Sequence, residues 1–82
     1  MKPQELVLIG RPGCHLCDDM RAVVEAVALP LGFALREVDL TQDPELEARH
    51  AFEIPVLLRG ERELCRHRVT AGELRAALRA AG

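Results

Sequence analysis

The chain has 82 residues, 49% of them hydrophobic and 29% charged, which is enough for one small core and too apolar for disorder. Eleven basic residues against 13 acidic ones give a formal charge of −2, and the only aromatics are Phe33 and Phe52, so neither a basic surface nor a base-stacking platform points to nucleic acid. The chain contains no serine and no glycine-rich phosphate loop, which excludes serine hydrolase chemistry and any motif-based nucleotide site.

No apolar run approaches the roughly 18 residues of a membrane span. Met1 to Glu5 lead into an apolar stretch that is already broken at Gly10, which is too short for a secretory leader. The expectation is a single domain over residues 1–82, cytoplasmic and monomeric, with no membrane contact. In that compartment thiols stay reduced, and a close cysteine pair is more often redox-active or metal-binding than a staple.

Glu5 to Ile9 reads as a short buried strand, β1, because four consecutive apolar residues follow Glu5. Gly10, Pro12 and Gly13 make a loop, and a helix, α1, starts near Cys14. Asp18 and Asp19 suit the positive end of its dipole. Met20, Val23, Val24, Val27, Ala28 and Leu31 recur at helical spacing and give one apolar face, with Pro30 and Gly32 ending the helix. Phe33 to Val38 reads as an edge strand, β2, followed by a loop over residues 39–42. Asp43 and Pro44 form a helix start, N-cap then proline, for a short α2 reaching about Ala51.

Ile54 to Leu58 is strand β3, and residues 59–61 turn it into β4, Arg62 to His67, whose charges suit an exposed edge. Thr70 and Glu73 form a capping box, opening α3 with Leu74, Ala77, Leu78 and Ala81 on its apolar face. The order β-α-β-α-β-β-α implies an α/β fold with a right-handed β1-α1-β2 crossover and an antiparallel β3-β4 hairpin. The simplest sheet is mixed and four-stranded, in the order 2-1-3-4. It is flanked by three helices, α1 and α3 on one face and α2 on the other.

The chain's chemistry concentrates in Cys14-His15-Leu16-Cys17, where a strand hands over to a helix. A free cysteine has a pKa of about 8.5, but at a helix N-terminus in such a pair it falls to roughly 3.5–7.5, because unpaired N–H groups and the dipole favour thiolate. A disulfide across so short a loop adds almost nothing through chain entropy, so the pair suits opening and closing better than stapling. Cys14, at the helix start and more exposed, is expected to be the nucleophile. Cys17, one turn in, is expected to resolve the mixed disulfide. A partly charged His15 would favour the thiolate; it reads equally well as a solvated loop residue. Two alternatives stay open. One is a metal site, with zinc held by Cys14, His15, Cys17 and Cys65 or an iron–sulfur cluster shared between copies. The other is a non-catalytic domain that binds peptides. Cys65 reads as a small buried hydrophobe on β4, and His50, His67 and the arginines 59, 62, 66 and 68 as surface.

The stretch Arg11-Pro12-Gly13-Cys14-His15-Leu16-Cys17, then Val38-Asp39-Leu40, Asp43-Pro44-Glu45-Leu46 and Ile54-Pro55-Val56-Leu57, resembles the small bacterial glutaredoxin-like proteins of the thioredoxin fold. The resemblance covers nearly the whole chain. It implies a thiol–disulfide oxidoreductase that reduces disulfides or mixed disulfides and has no resident cofactor. Glutathione is a candidate co-substrate, and either glutathione or a reductase is the reductant. It also implies that Pro55 is cis and faces the cysteine pair, and that the backbone of Ile54 bonds an extended thiol substrate. Arg11 matches the family's basic residue, which would hold a glutathione carboxylate and lower the pKa of Cys14. The glutaredoxin Gly-Gly turn after the last strand has no counterpart in Cys65-Arg66-His67-Arg68-Val69-Thr70.

Overall fold

The computed structural model describes residues 4–80. The elements are β1 (Glu5–Gly10), α1 (His15–Val27), β2 (Ala34–Asp39), α2 (Pro44–His50), β3 (Val56–Arg59), β4 (Arg62–Arg66) and α3 (Ala71–Ala80), with short 3₁₀ turns at Leu29–Leu31 and Leu40–Gln42. The sheet runs β2-β1-β3-β4, with β1 and β2 parallel and the other pairs antiparallel, as the element order predicts.

The central strand β1 is covered on both faces, which is why it reads as an unbroken apolar run. Leu6 and Leu8 pack with Met20, Val24 and Val27 of α1 and Leu74 and Leu78 of α3. On the opposite face Ile9 packs with Leu40 and Val56, and Leu46 of α2 lies against them. In α1 the buried residues are Cys17, Met20, Val24 and Val27, spaced three or four apart along one stripe. The second cysteine of the motif is thus the first residue of the helix's core-facing stripe. Full burial of each such side chain is worth about 1.5–3 kcal/mol, so this stripe anchors the motif's helix firmly to the sheet.

Local boundaries differ from the sequence reading in instructive ways. Helix α1 ends at Val27 rather than running on to the proline, because Pro30 has no N–H to continue the hydrogen-bond ladder and the chain tightens into a 3₁₀ turn. Leu31, assigned to the apolar face, therefore lies in the following 3₁₀ turn and is 63% exposed. The 39–42 loop is a second 3₁₀ turn that buries Leu40, and Asp39 itself extends β2 by one residue. Strand β3 starts at Val56 rather than Ile54, since Pro55 has no N–H to give the ladder. Strand β4 carries a bulge: Leu57 pairs with Cys65 and Leu58 with Glu63, leaving Leu64 as the extra residue. The bulge turns both Leu64 and Cys65 toward the α1/α3 core, which simple alternation does not allow. The capping box at α3 is reciprocal: Glu73 accepts from the Thr70 N–H at 2.9 Å, and the Thr70 hydroxyl accepts from the Glu73 N–H at 3.1 Å. Ala81, assigned to the apolar face of α3, lies outside the described residues. No helix among the described residues is long and apolar enough to cross a membrane.

Candidate active site

Three loops meet at one end of the sheet. The β1–α1 loop leaves the carboxyl end of β1, and the antiparallel pairing of Ile9 with Val56 brings the residues before β3 to the same end. Val56 also pairs with Arg66, so the turn after β4 arrives there too.

In the first loop Gly13 has a φ of 77°, a left-handed turn that glycine adopts without steric cost. Cys14 follows in extended conformation as the N-cap of α1. Its Sγ accepts a hydrogen bond from the Cys17 N–H at 3.1 Å, so sulfur takes the role that serine or aspartate oxygen plays in other caps. The two cysteines form a disulfide with a Cα–Cα separation of 5.2 Å. Cys14 is half-buried, whereas Cys17 is 3% exposed. On reduction, the same N–H and the helix dipole would face whatever negative charge develops on Cys14.

The sulfur of Cys17 lies close to the backbone of β1. A Cβ at Gly10 would sit 2.8 Å from Cys17 Sγ and 3.2 Å from its Cβ, closer than real atoms pack. Gly10 reads in sequence as the first residue of a loop; in the structure it ends β1, is buried, and makes room for the second cysteine. A glycine at the end of an apolar strand, a few residues before a cysteine, is the local sign of such a close approach.

The Ile54–Pro55 bond is cis, as the resemblance implied. Pro55 is buried and Ile54 half-buried at the site end of the sheet. The Pro55 carbonyl accepts from the His67 N–H at 2.8 Å, which ties this loop to the turn after β4. His67 holds a φ of 66°, so the left-handed residue in that turn is histidine and not glycine. The segment before the cis bond is pinned by Glu53, which bonds His50 Nδ1 at 2.9 Å and Arg66 at 2.8 Å. The His50 hydrogen bond, then the charge of Arg66, holds the Glu53 carboxyl below its ordinary value against the opposing effect of burial. His50 is thus a half-buried partner and not the surface residue its sequence context suggests. Arg66 is held by Glu53 and Glu63, and Arg59 lies 5.0 Å over the Phe33 ring and donates to Leu78, so neither is a merely solvated edge charge.

Of the residues singled out in the sequence, Cys14, Cys17, Arg11, His15, Ile54 and Pro55 therefore all sit at this end of the sheet. Arg11 and His15 are exposed. Cys65 does not join them: the strand order places β4 two positions from β1, and Cys65 packs half-buried against the α1/α3 core. Burial, helped by the charges of Glu63 and Glu73, pushes its thiol up to about 11. The ligand set of Cys14, His15, Cys17 and Cys65 is not assembled, and no group of three or more His, Cys, Asp or Glu side chains converges in metal-binding geometry among the described residues.

A four-stranded sheet in this order, a redox-capable cysteine pair at the start of the first helix and a cis proline opening the third strand define a thioredoxin-fold protein. The profile of the glutaredoxin-like domain family (DUF836) matches residues 5–79, and the chain belongs to that family. Solved structures agree. The protein XcR50 from X. campestris, determined by X-ray diffraction, is 35% identical with a TM-score of 0.81, covering 94% of this chain and 99% of that one. Protein Ne2328 from Nitrosomonas europaea, solved by NMR, is 29% identical with a TM-score of 0.77, covering 93% of this chain and 92% of that one. The thioredoxin Deadhead from Drosophila melanogaster shares the fold at 21% identity and a TM-score of 0.55, over 96% of this chain and 79% of its own. No curated protein matches the chain.

Proposed function

We propose that the protein is a thiol–disulfide oxidoreductase that reduces disulfides or mixed disulfides through Cys14 and Cys17. The observation that carries this reading is the asymmetry of the pair. Cys14 caps α1, half-exposed and hydrogen-bonded at sulfur, while Cys17 is buried one turn inside. In the reduced protein the Cys14 thiolate attacks a substrate disulfide, one substrate sulfur leaves as a thiol, and a mixed disulfide remains on Cys14. The Cys17 thiolate then attacks Cys14 Sγ. The second substrate thiol leaves, and the protein holds the Cys14–Cys17 disulfide. The substrate lies along the Ile54–Pro55 segment and bonds the Ile54 backbone. Arg11 offers its guanidinium to a glutathione carboxylate or to the Cys14 thiolate. Glutathione or a reductase returns the pair to the dithiol.

The test is intact mass after reduced protein meets oxidised glutathione, followed by alkylation. The native protein is expected to close the Cys14–Cys17 disulfide or carry one glutathione. Cys14→Ser is expected to abolish exchange, and Cys17→Ser to hold a persistent adduct on Cys14. Native protein that remains a free dithiol would overturn the reading, as would full exchange activity in Cys14→Ser.

A further inference from the structure

A cavity of about 320 Å³ opens between the start of α1 and the carboxyl ends of β1 and β2. Cys17 lines it and Cys14 does not. Its charged walls are Arg11 from the loop, Asp18 and Arg21 from α1, and Glu37 and Asp39 from β2; β1 contributes only Leu8 and Gly10. The buried cysteine therefore has its own polar space.

The sheet register puts one of these carboxylates beside the sulfur. Gly10 pairs with Asp39 across the parallel β1–β2 ladder. Leu8 and Leu35 point to the α1/α3 core, so by alternation the side-chain positions of Gly10 and Asp39 face α1 as well. Cys17 Sγ fills the space that a Gly10 side chain would take, at 2.8 Å from the missing Cβ. Asp39 holds the paired position on the next strand, neighbouring strands lying roughly 4.8 Å apart, and it lines the cavity together with Cys17. Glu37 is committed elsewhere: Arg21 bonds it at 2.5 Å and Asp18 at 3.1 Å. Asp39 is held in place by the Thr41 N–H at 2.9 Å and hydroxyl at 2.6 Å, both to Oδ1, which leaves Oδ2 for another partner.

We infer that Asp39 is the proton acceptor for Cys17. The inference rests on the redox reading above. With the mixed disulfide on Cys14, Asp39 takes the proton of the Cys17 thiol across the cavity. The thiolate so formed attacks Cys14 Sγ, the Cys14–substrate bond breaks, and the leaving thiolate collects a proton from solvent. No electrons enter or leave beyond the two exchanged between the dithiol and the substrate disulfide. A buried thiol ionises poorly without such an acceptor, because burial disfavours the charged form.

The experiment follows the two steps separately. Reduced protein is mixed with oxidised glutathione, quenched in acid at intervals over a range of pH, and weighed intact. Appearance of the glutathione adduct reads Cys14, and its decay reads Cys17. Asp39→Asn, which keeps an oxygen for Thr41, is expected to form the adduct at the native rate and to lose it at least about tenfold more slowly near pH 7. The deficit should narrow as pH rises and hydroxide takes over as base. Glu37→Gln, which removes another of the cavity carboxylates, is expected to keep the native pH profile. Native decay in Asp39→Asn at every pH would overturn the inference. So would the same slowing in Glu37→Gln, which would make the effect one of cavity charge. Native protein that forms neither adduct nor disulfide would overturn the redox reading itself, and this inference with it.

Discussion

The start of α1 and the bulged edge strand β4 each present cysteine, and they treat it in opposite ways. At α1 the sulfur of Cys14 caps a helix, accepts an N–H bond and is partly open to solvent. On β4 the sulfur of Cys65 is turned inward by the bulge against the α1/α3 core, near Glu63 and Glu73. The first environment supplies partial positive charge; the second removes water and adds negative charge. Both changes act on the thiolate, in opposite directions. The same side chain is thus fitted for chemistry in one place and for packing in the other.

The largest expected break in this comparison is complete. Cys14→Ser should remove exchange, whereas Cys65→Ala should leave the rate of exchange with oxidised glutathione at the native value. A second test reads the two thiols directly by alkylation with iodoacetamide at pH 8. With its pKa pushed to about 11, Cys65 is thiolate only on the order of one part in a thousand there, and should stay unmodified while Cys14 of the reduced protein reacts. Equal labelling of the two would contradict the contrast. The sign of the linkage follows: the folded value lies above that of a free cysteine, so the stability contributed by Cys65 is intact below the free value and is lost as pH rises through about 11. Cys65→Ala should flatten that alkaline decline in a urea-unfolding series.

A smaller effect sharpens the α1 side. Gly10→Ala places a methyl 2.8 Å from Cys17 Sγ and should destabilise the oxidised protein by about 1–3 kcal/mol. The penalty should shrink in a Cys17→Ala background, and a double-mutant cycle showing no coupling would mean that the sulfur is not what Gly10 accommodates. The smallest effect concerns the helix behind β4. Thr70→Ala removes the acceptor for the Glu73 N–H and should cost about 1 kcal/mol, read from the unfolding midpoint.

Element order, the two-sided burial of β1 and the capping box were all legible in the chain, because each rests on signals within a few residues. The apolar stripe of α1 repeats every three or four positions, and Thr70 and Glu73 meet within one turn. The cysteine pair belongs to the same class of signal: its spacing and its place before a helical pattern need no distant partner. The ends of elements were less legible. Proline at position 30 stops α1 earlier than its apolar pattern does, and the bulge at Leu64 defeats the alternation that would have placed Cys65.

What only the tertiary structure decided lies between strands. The pairing of Gly10 with Asp39 joins residues far apart in the chain, and nothing local in either segment announces it. The approach of Cys17 to Gly10 depends on how α1 seats on the sheet, which the whole stripe from Cys17 to Val27 settles together. The bond of Glu53 to both His50 and Arg66 forms because β4 folds back beside β3. Sequence by itself determined which atoms can do thiol chemistry and on what kind of element they sit. The fold decided which residue of β2 pairs with Gly10 beside the buried cysteine and which cysteine is kept apart, because register and helix docking are settled by long-range packing.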